Sequence, residues 1–303
     1  MQKKVAIFSH DAGGGEVISS WVKENFKRYK FFFFIKGPAL AIFKKKIKTI
    51  KVCHTIEISK KADFFLCGSG WQTNFELKGL IYGRKNNKRV VVFLDHWVNY
   101  KKRFIINHNL FLPSEFWVQD IFAKMNAKKT FRNIKIVKKK NYFIKNFLEN
   151  YLKIKKIIPS NNIKKNILYL SEPILEHTKK WKDKNFKFNY SEFDALEFLL
   201  NNIHKIDTNI DKVIIRLHPA EKKNKYNRII DKFSQKKLKF KIKISINKSI
   251  EKDIFNSDFV AGCHTSAMVL ALIAKKKVIS TVPTKNKRND VPHKKIIYLR
   301  DLK

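Results

Sequence analysis

Apolar residues along the chain alternate between two arrangements. Short unbroken runs such as Val5–Phe8, Phe31–Ile35, Ala62–Cys67 and Arg89–Leu94 predict strands buried on both faces of a parallel sheet. Between them, apolar positions recur every three or four residues. That spacing predicts helices over Glu16–Arg28, Ala39–Lys46, Thr73–Arg84, Ile121–Thr130 and Asn141–Lys155. Two further strands, Phe116–Val118 and Ile134–Val137, bracket the fourth of these helices. The basic, proline-containing stretch Lys155–Lys165 reads as a linker, after which the pattern restarts. Strands are expected at Ile167–Leu170, Val213–Leu217, Lys239–Ile246, Phe259–Ala261, Val278–Val282 and Lys295–Leu299. Helices are expected at Ser191–His204, Tyr226–Lys237, Ile250–Asn256 and Ala267–Ala274. Strands alternating with helices in two halves predict an α/β chain of two Rossmann-like, doubly wound domains facing a cleft, over residues 1–157 and 166–303.

Composition narrows the class. With 303 residues, 44% hydrophobic and 26 Phe, the chain can bury a large core, which excludes an intrinsically disordered protein. No apolar run approaches the roughly 18–20 residues of a membrane span. Three scattered cysteines (Cys53, Cys67, Cys263) carry neither disulfide nor zinc spacing, and the chain reads as reduced and cytoplasmic. A net charge of +41 would ordinarily suggest nucleic acid or an anionic membrane. Yet only nine of the 66 basic residues are Arg, the residue that makes bidentate base and phosphate contacts. Lys, Asn, Ile and Phe, which share A/T-rich codons, are over-used together. Much of the charge therefore follows genome composition. Specific nucleic-acid binding is not expected, whereas peripheral attachment to an anionic inner leaflet stays open.

In open α/β sheets, ligands bind beyond the carboxyl ends of strands. Four loops there carry unusual residues. The first is His10-Asp11-Ala12-Gly13-Gly14-Gly15, whose glycines would let the backbone approach an anion or a sugar hydroxyl. It fits neither the dinucleotide fingerprint nor a P-loop. The plain alternative is a tight turn with Asp11 capping a helix. Asp95-His96-Trp97 ends the apolar strand Arg89–Leu94 and offers a carboxylate and an imidazole as base or orienting pair, or as a satisfied structural pair. Gly68-Ser69-Gly70-Trp71 would shape the same wall, and Trp71 and Trp97 could stack on a sugar or pack in the core.

In the second half, Arg216-Leu217-His218-Pro219-Ala220-Glu221 fixes His218 at a strand end, because Pro219 biases it away from helix. Gly262-Cys263-His264-Thr265-Ser266 then opens a helix. Hydroxyls and N–H groups there could meet a phosphate, or Thr265 and Ser266 could simply cap.

These pieces, with Ile167-Leu168-Tyr169-Leu170-Ser171-Glu172-Pro173, resemble the nucleotide-binding domain of GT-B glycosyltransferases, in the clan of bacterial sialyltransferases, polysialyltransferases and capsule transferases. The resemblance covers about residues 165–285; the first half is similar only in layout. It implies that His218, Thr265 and Ser266 hold the donor phosphate without a metal. Arg216, Pro219, Gly262 and His264 would lie beside them, and Glu172 and Pro173 near the base or ribose. It further implies an acidic base in the N-terminal half. Asp11 stands first and Asp95 second, with His96 in support and His10, Gly13, Gly14 and Gly15 forming an acceptor or sugar loop.

The expectation is an inverting, metal-independent and cofactor-free glycosyltransferase. It would use a CMP-linked nonulosonate such as sialic acid, or Kdo, on a surface glycan or lipid-linked acceptor. A nucleotide-sugar epimerase or hydrolase on the same fold, and a non-catalytic polyanion-binding protein, are the competing readings.

Overall fold

A computed structural model describes residues 2–71, 73–157, 164–180, 188–247, 249–284 and 290–303. The chain forms two compact units, Met1–Asn146 and Phe147–Lys303. In the first, β1 (Lys3–Ser9), α1 (Ala12–Asn25), β2 (Tyr29–Ile35), α2 (Gly37–Lys46), β3 (Phe64–Cys67), α3 (Phe75–Lys85) and β4 (Arg89–Leu94) alternate. A small hairpin, β5 (Ile105–Ile106) with β6 (Asn109–Leu110), precedes β7 (Glu115–Val118), α4 (Ile121–Thr130) and β8 (Lys135–Lys138). The division between units falls within α5 (Tyr142–Ile157). Residues 158–163 of the expected linker lie outside the described residues.

All main strands of the first unit are parallel, in the order β2-β1-β3-β4-β7-β8. The two faces of β1 explain its unbroken apolar run. Val5 and Ile7 join a core with Val17, Ile18 and Val22 of α1 and Phe43 of α2. On the other face Phe8 stacks on Phe34 at 4.6 Å and on Phe65 at 5.5 Å. There α3 comes so close that a Cβ on Gly79 would stand 2.5 Å from the Phe8 ring.

The second unit runs β9 (Lys165–Leu170), α6 (Ile174–Lys180), α7 (Glu192–Asn201), α8 (Ile203–Ile206), β10 (Ile210–Arg216), α9 (Asn227–Ser234), β11 (Lys241–Ile244), α10 (Ile250–Phe255), β12 (Phe259–Gly262), α11 (Ala267–Ile273), β13 (Lys277–Ser280) and β14 (Ile296–Tyr298). Its strands are again all parallel, ordered β11-β10-β9-β12-β13-β14, so the sheet is extended first to one side of β9 and then, from β12, to the other. Ile167, Tyr169, Val213, Ile215 and Phe259 face Leu196, Leu199 and Phe233 of the helices. At the β9–β12 contact Gly262 comes close enough to Leu170 that a Cβ would meet its carbonyl oxygen at 3.2 Å.

Three expectations change. The helix after β1 starts at Ala12 rather than Glu16, so Gly13, Gly14 and Gly15 occupy its first turn. The expected Ser191–His204 helix breaks at Asn202, whose φ of −119° and ψ of 18° are not helical. Helix α6 and the β5–β6 hairpin were not expected; both are too short to build a period.

Gly79→Ala should destabilise the protein by about 1–3 kcal/mol through the clash with Phe8. At an exposed helix position the same change would stabilise by about 1 kcal/mol. Urea unfolding of the two proteins decides the sign.

Candidate functional site

In the first unit the loops after β1, β3 and β4 meet around carboxylates. Asp11 stands at the N-cap of α1 but makes no side-chain cap bond. Its Oδ1 lies 2.8 Å from His10 Nδ1, and Oδ2 accepts the Trp71 N–H at 3.2 Å. The capping alternative is therefore not what the carboxylate does.

Glu76, on α3, enters the same group without having been singled out in the sequence. It is 2% exposed, and its Oε1 accepts the backbone N–H of His10 at 2.6 Å and of Asp11 at 3.3 Å. Burial, with Asp11 as a like-charged neighbour, pushes its carboxyl up to about 7. Two carboxyl groups thus share one loop, and one holds a proton into the neutral range. Gly70 separates them; a Cβ there would meet Asp11 Cγ at 2.7 Å and Glu76 Oε1 at 2.8 Å.

Asp95 leaves the end of β4, and its Oδ1 accepts from Ser69 Oγ at 2.7 Å. The other oxygen packs against α1, where a Cβ on Gly13 would be 2.1 Å away. Gly14 similarly faces Gly68, and Gly15 faces Ala39. The three glycines thus lie in a helical first turn packed closely against neighbouring segments. Gly37 takes a φ of +54° and lies against the His10 imidazole. His96 follows Asp95; its carbonyl accepts from Tyr100 Oη, and its ring tilts against Trp97 at 5.4 Å. Trp97 is 2% exposed and donates to Asp120 Oδ2 at 2.8 Å, which makes it a core residue.

In the second unit two interlocked pairs occupy the strand ends. Glu221, buried, accepts the His218 N–H at 2.8 Å and the Ser171 hydroxyl at 2.9 Å, and pairs with Lys225 at 2.8 Å. This holds the turn through Pro219 in shape. His218 Nδ1 accepts the Ala220 N–H at 3.2 Å, so its proton sits on Nε2, the tautomer that donates to an anion.

Glu172 accepts the His264 N–H at 2.9 Å. Burial pushes its carboxyl up to about 7; that N–H opposes the shift, while Asp290, Glu221 and Glu192 add to it. His264 itself is 3% exposed, its Nε2 2.5 Å from Tyr190 Oη and its Nδ1 accepting the Asp290 N–H at 3.1 Å. Its ring is therefore engaged within the protein and braces the loop.

Thr265 Oγ1 accepts the Ala267 N–H at 3.3 Å in a local turn, whereas Ser266 is exposed and makes no cap bond. Arg216 is committed to Asp253, which is 0% exposed, at 2.5 Å, and to the Asn247 carbonyl at 3.1 Å. Gly262 sits at the β9–β12 contact, and Pro219 is exposed. Burial pushes the Cys263 thiol up to about 12, which keeps it from nucleophilic chemistry.

Two parallel six-stranded sheets with interleaved helices make this a two-domain GT-B fold, with Rossmann-like α/β halves. No family model matches the sequence, and no curated protein matches it. Among solved structures, the chain is similar to the UDP-GlcNAc 2-epimerase of Methanocaldococcus jannaschii in complex with UDP-GlcNAc and UDP. The TM-score is 0.63 at 16% identity, over 97% of this chain and 88% of that one. The UDP-GlcNAc 2-epimerase of Neisseria meningitidis bound to UDP-GlcNAc matches at TM-score 0.59 and 12% identity, over 91% of this chain and 82% of that one. A glycosyltransferase from Rickettsia africae matches at 0.56 and 14%, over 92% and 79%. Among the described residues, no helix is long and apolar enough to cross a membrane.

Two predictions test the electrostatics. Glu76 is pushed up to about 7 from 4.5, so between those values the folded protein binds the extra proton. Stability contributed by this group is complete below about pH 4.5 and is lost as pH rises to about 7. Glu76→Gln should therefore gain on wild type over that window, by up to about 3 kcal/mol. Paired melting curves at pH 4.5 and 7.5 measure the difference. Arg216→Ala leaves Asp253 buried without its cation, and should cost about 3 kcal/mol in ligand-free unfolding.

Proposed function

We propose that the protein is an inverting glycosyltransferase that uses a nucleotide-activated sugar without a metal, in surface-glycan synthesis. The observation that carries this reading is His218, held by Glu221 and the turn through Pro219 with its proton on Nε2. Such a donor, with the exposed Ser266 hydroxyl, suits the charge that grows on a leaving nucleotide phosphate. Asp11 is the base and Asp95 the second candidate, with His10 and His96 in support. The acceptor hydroxyl oxygen attacks the anomeric carbon, and the bond from that carbon to the phosphate oxygen breaks. The bonding pair leaves on the phosphate, and the hydroxyl proton passes to Asp11.

The motif resemblance favours a CMP-linked nonulosonate or Kdo, whereas two of the structural neighbours are described with UDP-GlcNAc. We take a UDP-sugar as the working donor, because that similarity spans nearly the whole chain and the motifs only its second half. The Asp11–Glu76 pair supports a second reading, an epimerase or hydrolase. Two carboxyl groups at one loop, one protonated near neutrality, are equipped to remove and return a proton at a sugar carbon.

The test is thermal stabilisation by UDP, CMP, GDP and ADP, with and without Mg²⁺, in wild type and His218→Ala. A bound nucleotide at a hundred times its dissociation constant should add about 2.7 kcal/mol. The expected result is stabilisation by UDP that needs no Mg²⁺ and is lost in His218→Ala. A response to CMP alone restores the nonulosonate donor. Epimer or free sugar formed without acceptor moves the assignment to the second reading. No response to any nucleotide sinks both, and binding to every polyanion alike, steep in salt and indifferent to His218→Ala, makes the protein a polyanion binder.

A further inference from the structure

The first unit contains a cavity of about 740 Å³ that none of the chemistry above uses. That volume lies within the roughly 300–1,000 Å³ of small-molecule sites. Its floor is aromatic: Phe8 stacks on Phe34, and the Phe75 ring lies 6.1 Å from Phe8. Half-buried Leu40, Val52 and Ile56 line the sides. At the rim stand Lys36, Lys44, Lys78 and His54, all exposed, and among the described residues no Asp or Glu lines the cavity.

An apolar floor beneath a cationic rim selects an amphiphile with an anionic head. A nucleobase would leave its polar edges facing hydrocarbon side chains, at a cost in unmade hydrogen bonds. An alkyl or isoprenoid chain has no such edges. The cavity also adjoins the loop that carries Asp11: Lys36 N–H donates to the Ser9 carbonyl at 3.1 Å, and Gly37 of its lining lies against the His10 ring.

We propose that this cavity holds the lipid-phosphate end of a lipid-linked acceptor, the chain over Phe8, Phe34 and Phe75 and the phosphate among Lys36, Lys44 and Lys78. The acceptor role rests on the transferase reading; the binding chemistry does not.

Cys53 makes the test direct. It lies half-buried in the cavity wall, whereas Cys67 and Cys263 are buried, so alkylation followed at Cys53 by mass spectrometry reports occupancy. The probe is decyl phosphate below its micellar concentration, with inorganic phosphate and decyl maltoside as controls. Decyl phosphate should slow alkylation at least fivefold, and the controls less than twofold. Across an alkyl phosphate series the half-protecting concentration should fall about fourfold per added methylene until the cavity is full. Lys44→Glu with Lys78→Glu, both exposed positions, should abolish protection without altering the melting curve; Val52→Trp should block the chain instead.

Equal protection by decyl maltoside would overturn the anionic head, protection by inorganic phosphate the lipid chain, and no protection the site itself. UDP stabilisation measured on the same samples separates the two readings. UDP stabilisation without protection refutes the cavity alone. Protection without any nucleotide response overturns the transferase reading and leaves a lipid-phosphate site.

Discussion

Both sheets are parallel, and most of their strands are covered on both sides by helices. A polar side chain in the middle of such a strand would be buried with nothing to bond, so the buried stretches of β4 and β12 are written mainly in Val, Leu, Phe and Ala. Chemistry is thereby confined to the loops. In each unit the candidate site residues sit where strands end at their carboxyl side: Asp11, Ser69 and Asp95 in the first, Glu172, His218 and His264 in the second. Glu76 obeys the same constraint from a helix, reaching the β1 loop from the buried second residue of α3.

That constraint is also why so much was legible in the sequence. Arg89–Leu94 and Ile121–Thr130 have the boundaries their patterns predict, because an unbroken apolar run and a clean helical period each admit one reading. Two Rossmann-like halves follow from the alternation alone. Glu76 was not legible. It stands in a helix whose exposed positions are polar, and nothing local separates a buried Glu from a solvated one; only the fold brings it to His10 and Asp11. From the sequence the three glycines suggest a close backbone approach to a ligand; in the fold the missing Cβ also permits contact with Asp95, Gly68 and Ala39. Arg216 and His264 were found by motif, and their partners Asp253 and Tyr190 lie 37 and 74 residues away, beyond any local pattern.

The two units handle charge in opposite ways. A chain of net charge +41 gathers acidic groups at its loops, Asp11 with Glu76 and Glu172 with Glu221, and buries them enough that both Glu76 and Glu172 are pushed up to about 7. In the second unit Lys225 answers the crowding by pairing with Glu192 and Glu221. In the first, Glu76 meets backbone N–H groups and, among the described residues, no cation. Backbone donors hold a loop in one shape whether or not the carboxyl is charged, whereas an ion pair couples shape to protonation.

The strand order of the second unit has a consequence for how the chain is made. Its central strand β9 pairs on one side with β12, Ile167 opposite Phe259, about 90 residues later in the chain. During synthesis at roughly 5–20 residues per second, one edge of an apolar strand waits for its neighbour for about 5–20 seconds. Throughout that time it offers unpaired backbone N–H and C=O groups to any other nascent strand. Production of this protein is therefore most exposed to aggregation while the ribosome is between β10 and β12. Slower translation lengthens that interval, and a chain cut before Phe259 never leaves it.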